Sequence, residues 1–135
     1  MSNLKEIITE DGSFSLRSLF FQENFHSLNG ALEETKTKFT NPSNLKRFKD
    51  KSINVLDICF GIGYNSASLF DVLLRQNSFL NWYALEIDKN PLEYSFRNKS
   101  FYKLWHPKVF KIFKSLYLTS NFEDQHFKCN IIWGE

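Results

Sequence analysis

Cysteine is scarce in this chain: two in 135 residues, Cys59 and Cys129. They form no C-x-x-C motif, and no histidine stands at metal-ligand spacing from either. That excludes a disulfide-held scaffold or a cysteine–histidine metal centre as the organising feature and predicts a reduced thiol pair. Long apolar runs are missing as well, so no segment approaches the ~20 residues of a membrane-spanning helix. The start, Met1-Ser-Asn-Leu-Lys-Glu6, is polar and lacks the apolar core of a signal peptide. These absences predict a soluble, cytoplasmic protein with no membrane partner. An excess of one charge is also lacking. Seventeen Lys and Arg against fifteen Asp and Glu leave only +2, so whole-chain charge does not point to nucleic acid. There is no internal repeat and no low-complexity tract.

What is present is a globular composition, 42% apolar and 24% charged, in a length suited to one domain. A complete fold of this size buries roughly two-thirds of its unfolded surface. Fifteen phenylalanines point to an aromatic core rather than to a function. Charge is uneven along the chain. Thr35 to Lys49 holds five basic residues and no acid, and Tyr94 to Phe122 holds six and no acid. Such stretches suit a phosphate backbone and equally suit a solvated surface.

The most informative stretch is Asn54-Val-Leu-Asp-Ile-Cys-Phe-Gly-Ile-Gly-Tyr-Asn65. It predicts a buried strand over Val55–Ile58, a turn at Gly61-Ile62-Gly63 and a helix from about Ser66 to Gln76. Strand, glycine turn and helix start make a nucleotide-type site, because glycine lets a ligand approach the backbone. A second strand, Trp82–Ile87, carries Glu86 at its end and Asp88 just beyond. An acid there, some twenty-odd residues past the glycines, is placed to accept hydrogen bonds from ribose hydroxyls, each worth about 1.5–3 kcal/mol. No Lys-Ser or Lys-Thr follows Gly63, which excludes a phosphate-binding P-loop, and Ser66 stands where a dinucleotide fingerprint needs its third glycine.

Taken in order, Asp11-Gly12 predicts a hairpin turn ahead of Phe14-Ser-Leu16, with a short strand at Ile7-Ile8 before it. A helix is expected over Ser27–Phe39, with Ser27 as N-cap and Leu28, Ala31, Leu32, Thr35 and Phe39 on one face. Gly30 inside that helix would cost about 1 kcal/mol and signals close packing, a nearby ligand or simple tolerance. Thr40–Asn44 reads as a loop. After the second strand, Pro91 opens a helix to about Lys99. A second amphipathic helix follows over Lys108–Leu118, then a third strand over Phe127–Trp133. Alternating strands and helices predict an α/β fold with a parallel sheet. Residues 1–52 form the hairpin and helix extension, and residues 53–135 a Rossmann-like unit.

Asp57 followed by Cys59-Phe-Gly-Ile-Gly63 resembles the first motif of class I S-adenosylmethionine-dependent methyltransferases, with Cys59 in place of the usual first glycine. Adding Thr9-Glu-Asp-Gly-Ser-Phe-Ser-Leu16, Glu23-Asn-Phe-His-Ser-Leu-Asn-Gly-Ala-Leu-Glu-Glu34, Phe39 and Leu85-Glu-Ile-Asp88, the chain resembles the MnmC-like tRNA methyltransferases through nearly its whole length. Ser15 stands where that family favours Thr, and Phe25 where it favours Tyr. The resemblance implies a class I methyltransferase fold that uses S-adenosylmethionine to methylate an aminomethyl group on the wobble uridine of tRNA. It makes Gly61 and Gly63 the cofactor loop, Glu86 the ribose acid, Asp57 the residue beneath the amino-acid end of the cofactor, and Gly134-Glu135 the start of the segment along the adenine. Read from the residues alone, Asp57 can instead hold the turn, Asp88 can cap the helix before Pro91, His26 can be a satisfied half-buried histidine, and Tyr64 and Asn65 can either touch cofactor or serve the next helix.

The family's domain continues past the last residue here, with an Asp-Ala-Phe or Asp-Gly-Phe segment beside the transferring methyl. The expectation is therefore the N-terminal half of a methyltransferase with the catalytic half absent and little turnover alone, served by a complementing C-terminal segment. A non-catalytic cofactor- or RNA-binding module, or a decayed fragment, are the alternatives. In the class I order the first strand is central. In this chain Val55–Ile58 is expected to lose one neighbour and show an apolar edge.

Overall fold

The Asp11-Gly12 turn joins two antiparallel strands, β1 (Leu4–Ile8) and β2 (Phe14–Ser18), with Gly12 at φ +85°. The computed structural model describes residues 3–134. A two-residue strand, β3 (Glu23–Asn24), pairs with the far end of β2. The helix that follows is shorter at its start than periodicity suggests. α1 spans Ala31–Thr35 and passes into a π-turn over Lys36–Thr40. Ala31 and Thr35 are buried and Leu32 half-buried, whereas Leu28 and Phe39 are exposed.

The hairpin explains that late start. Thr9, Asp11 and Ser13 direct their side chains at the first three N–H groups of α1. Ala31 N–H donates to Thr9 Oγ1 (3.2 Å), Leu32 N–H to Ser13 Oγ (3.1 Å) and Glu33 N–H to Asp11 Oδ2 (3.0 Å). Those groups otherwise lack partners at a helix end, so a neighbouring loop supplies the cap that Ser27 does not. Ser27 instead donates its amide to Glu34 Oε2 at 3.0 Å. Gly30 sits ahead of α1 rather than inside it, and its role is space. A Cβ there would lie inside 3.0 Å of the Asp11 carboxylate.

A 3-10 turn (Leu45–Phe48) leads to the main sheet. Its strands are β4 (Ser52–Ile58), β5 (Phe79–Glu86), β6 (Asn121–Glu123) and β7 (Phe127–Trp133), in the order β4-β5-β7-β6. β4, β5 and β7 are parallel, as the alternation of strands and helices predicts, and β6 is an antiparallel edge strand too short to stand out in the sequence. Between them run α2 (Tyr64–Arg75), α3 (Asn90–Arg97), α4 (Lys99–Tyr102) and α5 (Pro107–Thr119). α2 begins two residues before the expected Ser66. Lys89 is the N-cap of α3, and Asp88, one residue before it, accepts Asn90 N–H at 2.9 Å.

The core is aromatic. Phe60, Phe70 and Trp82 meet edge-to-face, with Phe113, Phe101, Tyr64 and Phe14 continuing the contact. Such tilted pairs place ring edges on ring faces and contribute beyond their buried area. Phe14 and Leu16 of the hairpin belong to the same core as the helices on the sheet. Tyr64 fastens the two parts, donating its buried hydroxyl to Phe14 C=O at 2.6 Å. No helix among the described residues is long and apolar enough to cross a membrane.

Candidate cofactor site

Two parallel strands in register end side by side. Ile58 is opposite Leu85, and Cys59 N–H still reaches Leu85 C=O at 2.9 Å. The chain leaving β4 must then turn sharply into α2. Three residues of that turn have left-handed backbone: Cys59 (φ +63°), Gly61 (φ +61°) and Gly63 (φ +94°). Cys59 therefore adopts a backbone conformation that favours glycine, at a cost of about 1–2 kcal/mol for a residue with a Cβ.

The turn is held on several sides. Phe60 is buried between Trp82 and Phe113, and the Ser95 hydroxyl of α3 donates to Ile62 C=O. Most telling is the tip. Gly61 N–H donates to Glu86 Oε2 at 2.6 Å, and Glu86 Oε1 accepts Ile87 N–H at 2.7 Å. Gly134, just past β7, donates its N–H to Glu86 C=O at 2.9 Å. Gly61, Glu86 and Gly134 thus converge at the carboxyl ends of the strands, where α/β sheets bind ligands. Glu135 lies outside the described residues.

The two glycines differ. A Cβ on Gly61 would meet only the Phe25 ring at 3.6 Å and Cys59 O at 3.8 Å, an ordinary contact facing a cavity of about 230 Å³. Phe25, His26, Glu34, Cys59 and Asn65 help line that cavity. A Cβ on Gly63 would strike Phe60 at 2.5 Å and Phe113 at 2.8 Å. Gly61 is open on the cavity side, whereas Gly63 is demanded by packing.

Asp57 is on β4, two residues before the turn's Cys59, and faces a different way. Ser66 Oγ donates to its Oδ2 and in turn accepts Trp82 Nε1–H at 3.0 Å. Burial pushes the Asp57 carboxyl up, the Ser66 bond opposes that, and the nearby Glu86 charge pushes it further, so the net shift is upward. Asp57 lines a groove of about 390 Å³ along β4, which shares Phe39 and Asn65 with the Gly61 cavity. Tyr64 is core, its hydroxyl already committed, and burial raises its pKa far above the usual phenol range. Asn65 is inside α2, not before it, and accepts from the Thr35 hydroxyl. His26 is a satisfied half-buried histidine on one side: Nδ1 lies 2.7 Å from Ser15 Oγ, and burial lowers its pKa against the opposing pull of Glu34.

Sequence reasoning did not single out Glu34, whose only signal was membership in the Glu23–Glu34 block, and marked Phe25 only as a departure from the resembled family's Tyr. A concavity of about 600 Å³ between Glu6 and the α3 face lies away from this turn, and its Arg97 is already paired with Glu93 at 3.0 Å.

The parallel sheet, the glycine turn and the acid ending the second strand define a Rossmann-like α/β fold. The crystal structure of MnmC2 from Aquifex aeolicus is similar over 100% of this chain, with a TM-score of 0.77 and 22% identity. The fold is MnmC-like. This chain spans 44% of that one. In sequence, 58 residues are 41% identical to an uncharacterized protein of Methanocaldococcus jannaschii, covering 43% of this chain and 16% of the archaeal one. No family model matches the sequence.

Proposed function

We propose that this chain is the cofactor-binding half of an S-adenosylmethionine-dependent methyltransferase of the MnmC-like kind. Its reaction would be methylation of the aminomethyl group on the wobble uridine of tRNA, in the cytoplasm. The observation that carries the reading is the 2.6 Å contact between Gly61 N–H and the Glu86 carboxylate. It joins the two motifs that sequence separates by a whole helix.

The residues present suit that cofactor. Each carboxylate oxygen has room for two hydrogen bonds, and Glu86 Oε2 spends one on Gly61. The other can accept a ribose hydroxyl. The open side of Gly61 lets a sugar approach the backbone without meeting a side chain. Glu34 in the Gly61 cavity and Asp57 in the adjoining groove place acid on either side of the positively charged end. The cofactor supplies an activated methyl on a sulfonium. What the protein must do is hold an uncharged amine in line with it, about 3–3.5 Å away. Gly61, Glu86, Asp57 and the buried Gly63 behind them supply one wall of that arrangement. The substrate wall belongs to the part of the fold this chain does not span, so turnover alone should be slight.

The test is calorimetry of the purified chain with S-adenosylmethionine. Binding is expected, and Glu86→Gln should weaken it ~10–100-fold, the loss of about 1.5–3 kcal/mol of charge-assisted bonding. No binding by the unaltered chain would overturn the proposal and favour a decayed fragment.

A second reading is an RNA-binding module without chemistry. It is favoured by lysines of the two basic stretches, such as Lys36, Lys46, Lys103, Lys111 and Lys114, none of which is in an ion pair among the described residues. tRNA binding that weakens steeply with salt, with no heat from S-adenosylmethionine, would identify it.

A further inference from the structure

We propose that one face of the N-terminal hairpin, from the tip at residues 19–22 to His26, is an RNA-binding surface that holds the loop nucleotides flanking the base delivered to the Gly61 cavity. Phe20 is 72% exposed and Phe21 68%, more than any other Phe, Tyr or Trp among the described residues, and Leu19 beside them is 54% exposed. The two rings meet edge-to-face, with centroids 4.9 Å apart and planes at 84°, which leaves ring faces open on the outside. The backbone that carries them is tied down by polar bonds. Leu19 N–H donates to Asn3 C=O at 2.7 Å, Phe21 N–H to Ser18 Oγ at 3.1 Å, and the Arg17 guanidinium to Gln22 C=O at 2.9 Å. Rings held in water this way add little to the core, and they have the form of a stacking platform for unpaired bases.

Register places charge beside the tip. Residues directly opposite each other in an antiparallel pair share a face. Lys5, Arg17 and Asn24 make one row across β1, β2 and β3. Ile7 and Ser15 make the next, with His26 joined to Ser15 at 2.7 Å. The acids of these strands, Glu6 and Glu23, stand opposite Leu16 and Ser18 and so occupy the other face. The row at the tip is therefore cationic with no acid in it. Arg17 is bonded to the neutral Asn24 Oδ1 at 3.1 Å and to Gln22 C=O, and neither Arg17 nor Lys5 is in an ion pair among the described residues. The order along this face is aromatic tip, cations, His26, and then the Gly61 cavity that His26 helps line. From Gln22 to His26 is four residues, roughly 14 Å of extended chain.

The charge selects the occupant. An apolar protein segment would cover the rings and leave two cations without partners, whereas a nucleic-acid duplex would meet the cations and keep its bases stacked inside. A single-stranded RNA loop satisfies both, with phosphates on Lys5 and Arg17 and splayed bases on Phe20 and Phe21. The proposal rests on the methyltransferase reading for its substrate, a uridine in an RNA loop, and adds where the neighbouring nucleotides lie.

The probe is an RNA stem-loop with uridine in its loop, set against the same stem as a blunt duplex, each titrated with the intact chain by fluorescence anisotropy. The stem-loop should bind more tightly than the duplex. Phe20→Ala and Phe21→Ala should each weaken it at least ~5-fold, the loss of one stacked base, and leave the melting of the chain unchanged. Lys5→Gln should lower the slope of log affinity against log salt by ~0.7, one phosphate contact on a single strand. Three results would overturn the proposal. One is equal binding of stem-loop and duplex, or of neither. Another is parent-like affinity in both Phe variants, with the loss falling instead on Lys103→Gln, Lys111→Gln or Lys114→Gln. The third is a chain that sediments as a dimer dissolved by Phe20→Asp, which would make the tip a contact between copies. Calorimetry with S-adenosylmethionine separates this surface from the cofactor site. Cofactor binding without RNA binding sinks only the surface, and RNA binding through the tip without cofactor binding sinks only the cofactor site.

Discussion

Replacing Gly61 and Gly63 separately with alanine should produce two different defects, although the residues are two apart in one motif. At Gly63 the new methyl would lie 2.5 Å from Phe60 and 2.8 Å from Phe113, both buried rings. Forcing extra volume into such packing costs about 1–3 kcal/mol. The left-handed backbone adds about 1–2 kcal/mol for any residue with a Cβ. The sum, about 2–5 kcal/mol, is a large part of the ~5–15 kcal/mol that holds a domain together. For a chain of this size it should lower the melting temperature by roughly 8–20 °C. At Gly61 only the backbone penalty applies, since the nearest atoms lie at 3.6 and 3.8 Å. Gly61→Ala should melt about 3–7 °C below the parent. It should still fold with the same near-ultraviolet circular dichroism, and its methyl should obstruct cofactor. Thermal denaturation followed by S-adenosylmethionine calorimetry on the folded variant reads both effects. Equal damage from the two substitutions, or a Gly63→Ala variant as stable as the parent, would refute the assignment of one glycine to packing and the other to the ligand.

Four further outcomes follow from the same geometry. Cys59→Gly should stabilise the chain by up to about 1 kcal/mol, because Cys59 already sits at φ +63°; a higher denaturation midpoint with unchanged cofactor affinity is the readout. Asp57 has its pKa raised in the fold, so its contribution is fully present below the unfolded value and is lost as pH rises through the folded one. Asp57→Asn should therefore raise the melting temperature at pH 7 and change it little near pH 3.5, and an equal shift at both values would contradict the burial argument. Asp11 behaves in the opposite sense. Desolvation raises its pKa, but bonds from the Ser13 hydroxyl and amide, Glu33 N–H and Thr9 Oγ1 outweigh that and hold it at about 2. Its stabilisation is present above the unfolded value and should fade as pH falls from about 4 to 2, by no more than about 1 kcal/mol after solvent screening of this exposed group. Asp11→Ala and Gly30→Ala break one clamp, so the double variant should cost little more than the worse single variant in a double-mutant cycle.

What could be read from the chain beforehand depended on whether the signal was local. The α5 stripe Val109, Ile112, Phe113 and Leu116 is buried as its spacing predicts, and β7 runs over Phe127–Trp133 as expected, because periodicity is a property of adjacent residues. The start of α1 was not legible. Ser27 has the composition of an N-cap, yet the cap comes from Thr9, Asp11 and Ser13, some twenty residues away. No window of sequence contains that arrangement. The same limit applies to the site. Gly61, Gly63, Asp57 and Glu86 are conspicuous by type and spacing, but nothing in the motif says that Asp57 faces Ser66 and the β4 groove while Gly61 faces Glu86.

The hairpin is therefore tied to the glycine turn at several points. Thr9, Asp11 and Ser13 fix the start of α1. Thr35 at the end of α1 donates to Asn65, on the first turn of α2. Tyr64, one residue earlier, is bonded to Phe14 of β2, and Ser15 on the same strand orients His26 beside the Gly61 cavity. The N-terminal residues and the glycine turn are thus cross-braced through two hydrogen bonds, Thr35 to Asn65 and Tyr64 to Phe14, and a shared aromatic core. Removing the Tyr64 hydroxyl leaves the Phe14 carbonyl buried without its donor, a loss of about 1–3 kcal/mol. If the brace positions the turn, Tyr64→Phe should also weaken S-adenosylmethionine binding, although the hydroxyl it removes is spent inside the protein. An unchanged affinity in a variant that melts lower would show that the hairpin stabilises the turn without positioning it.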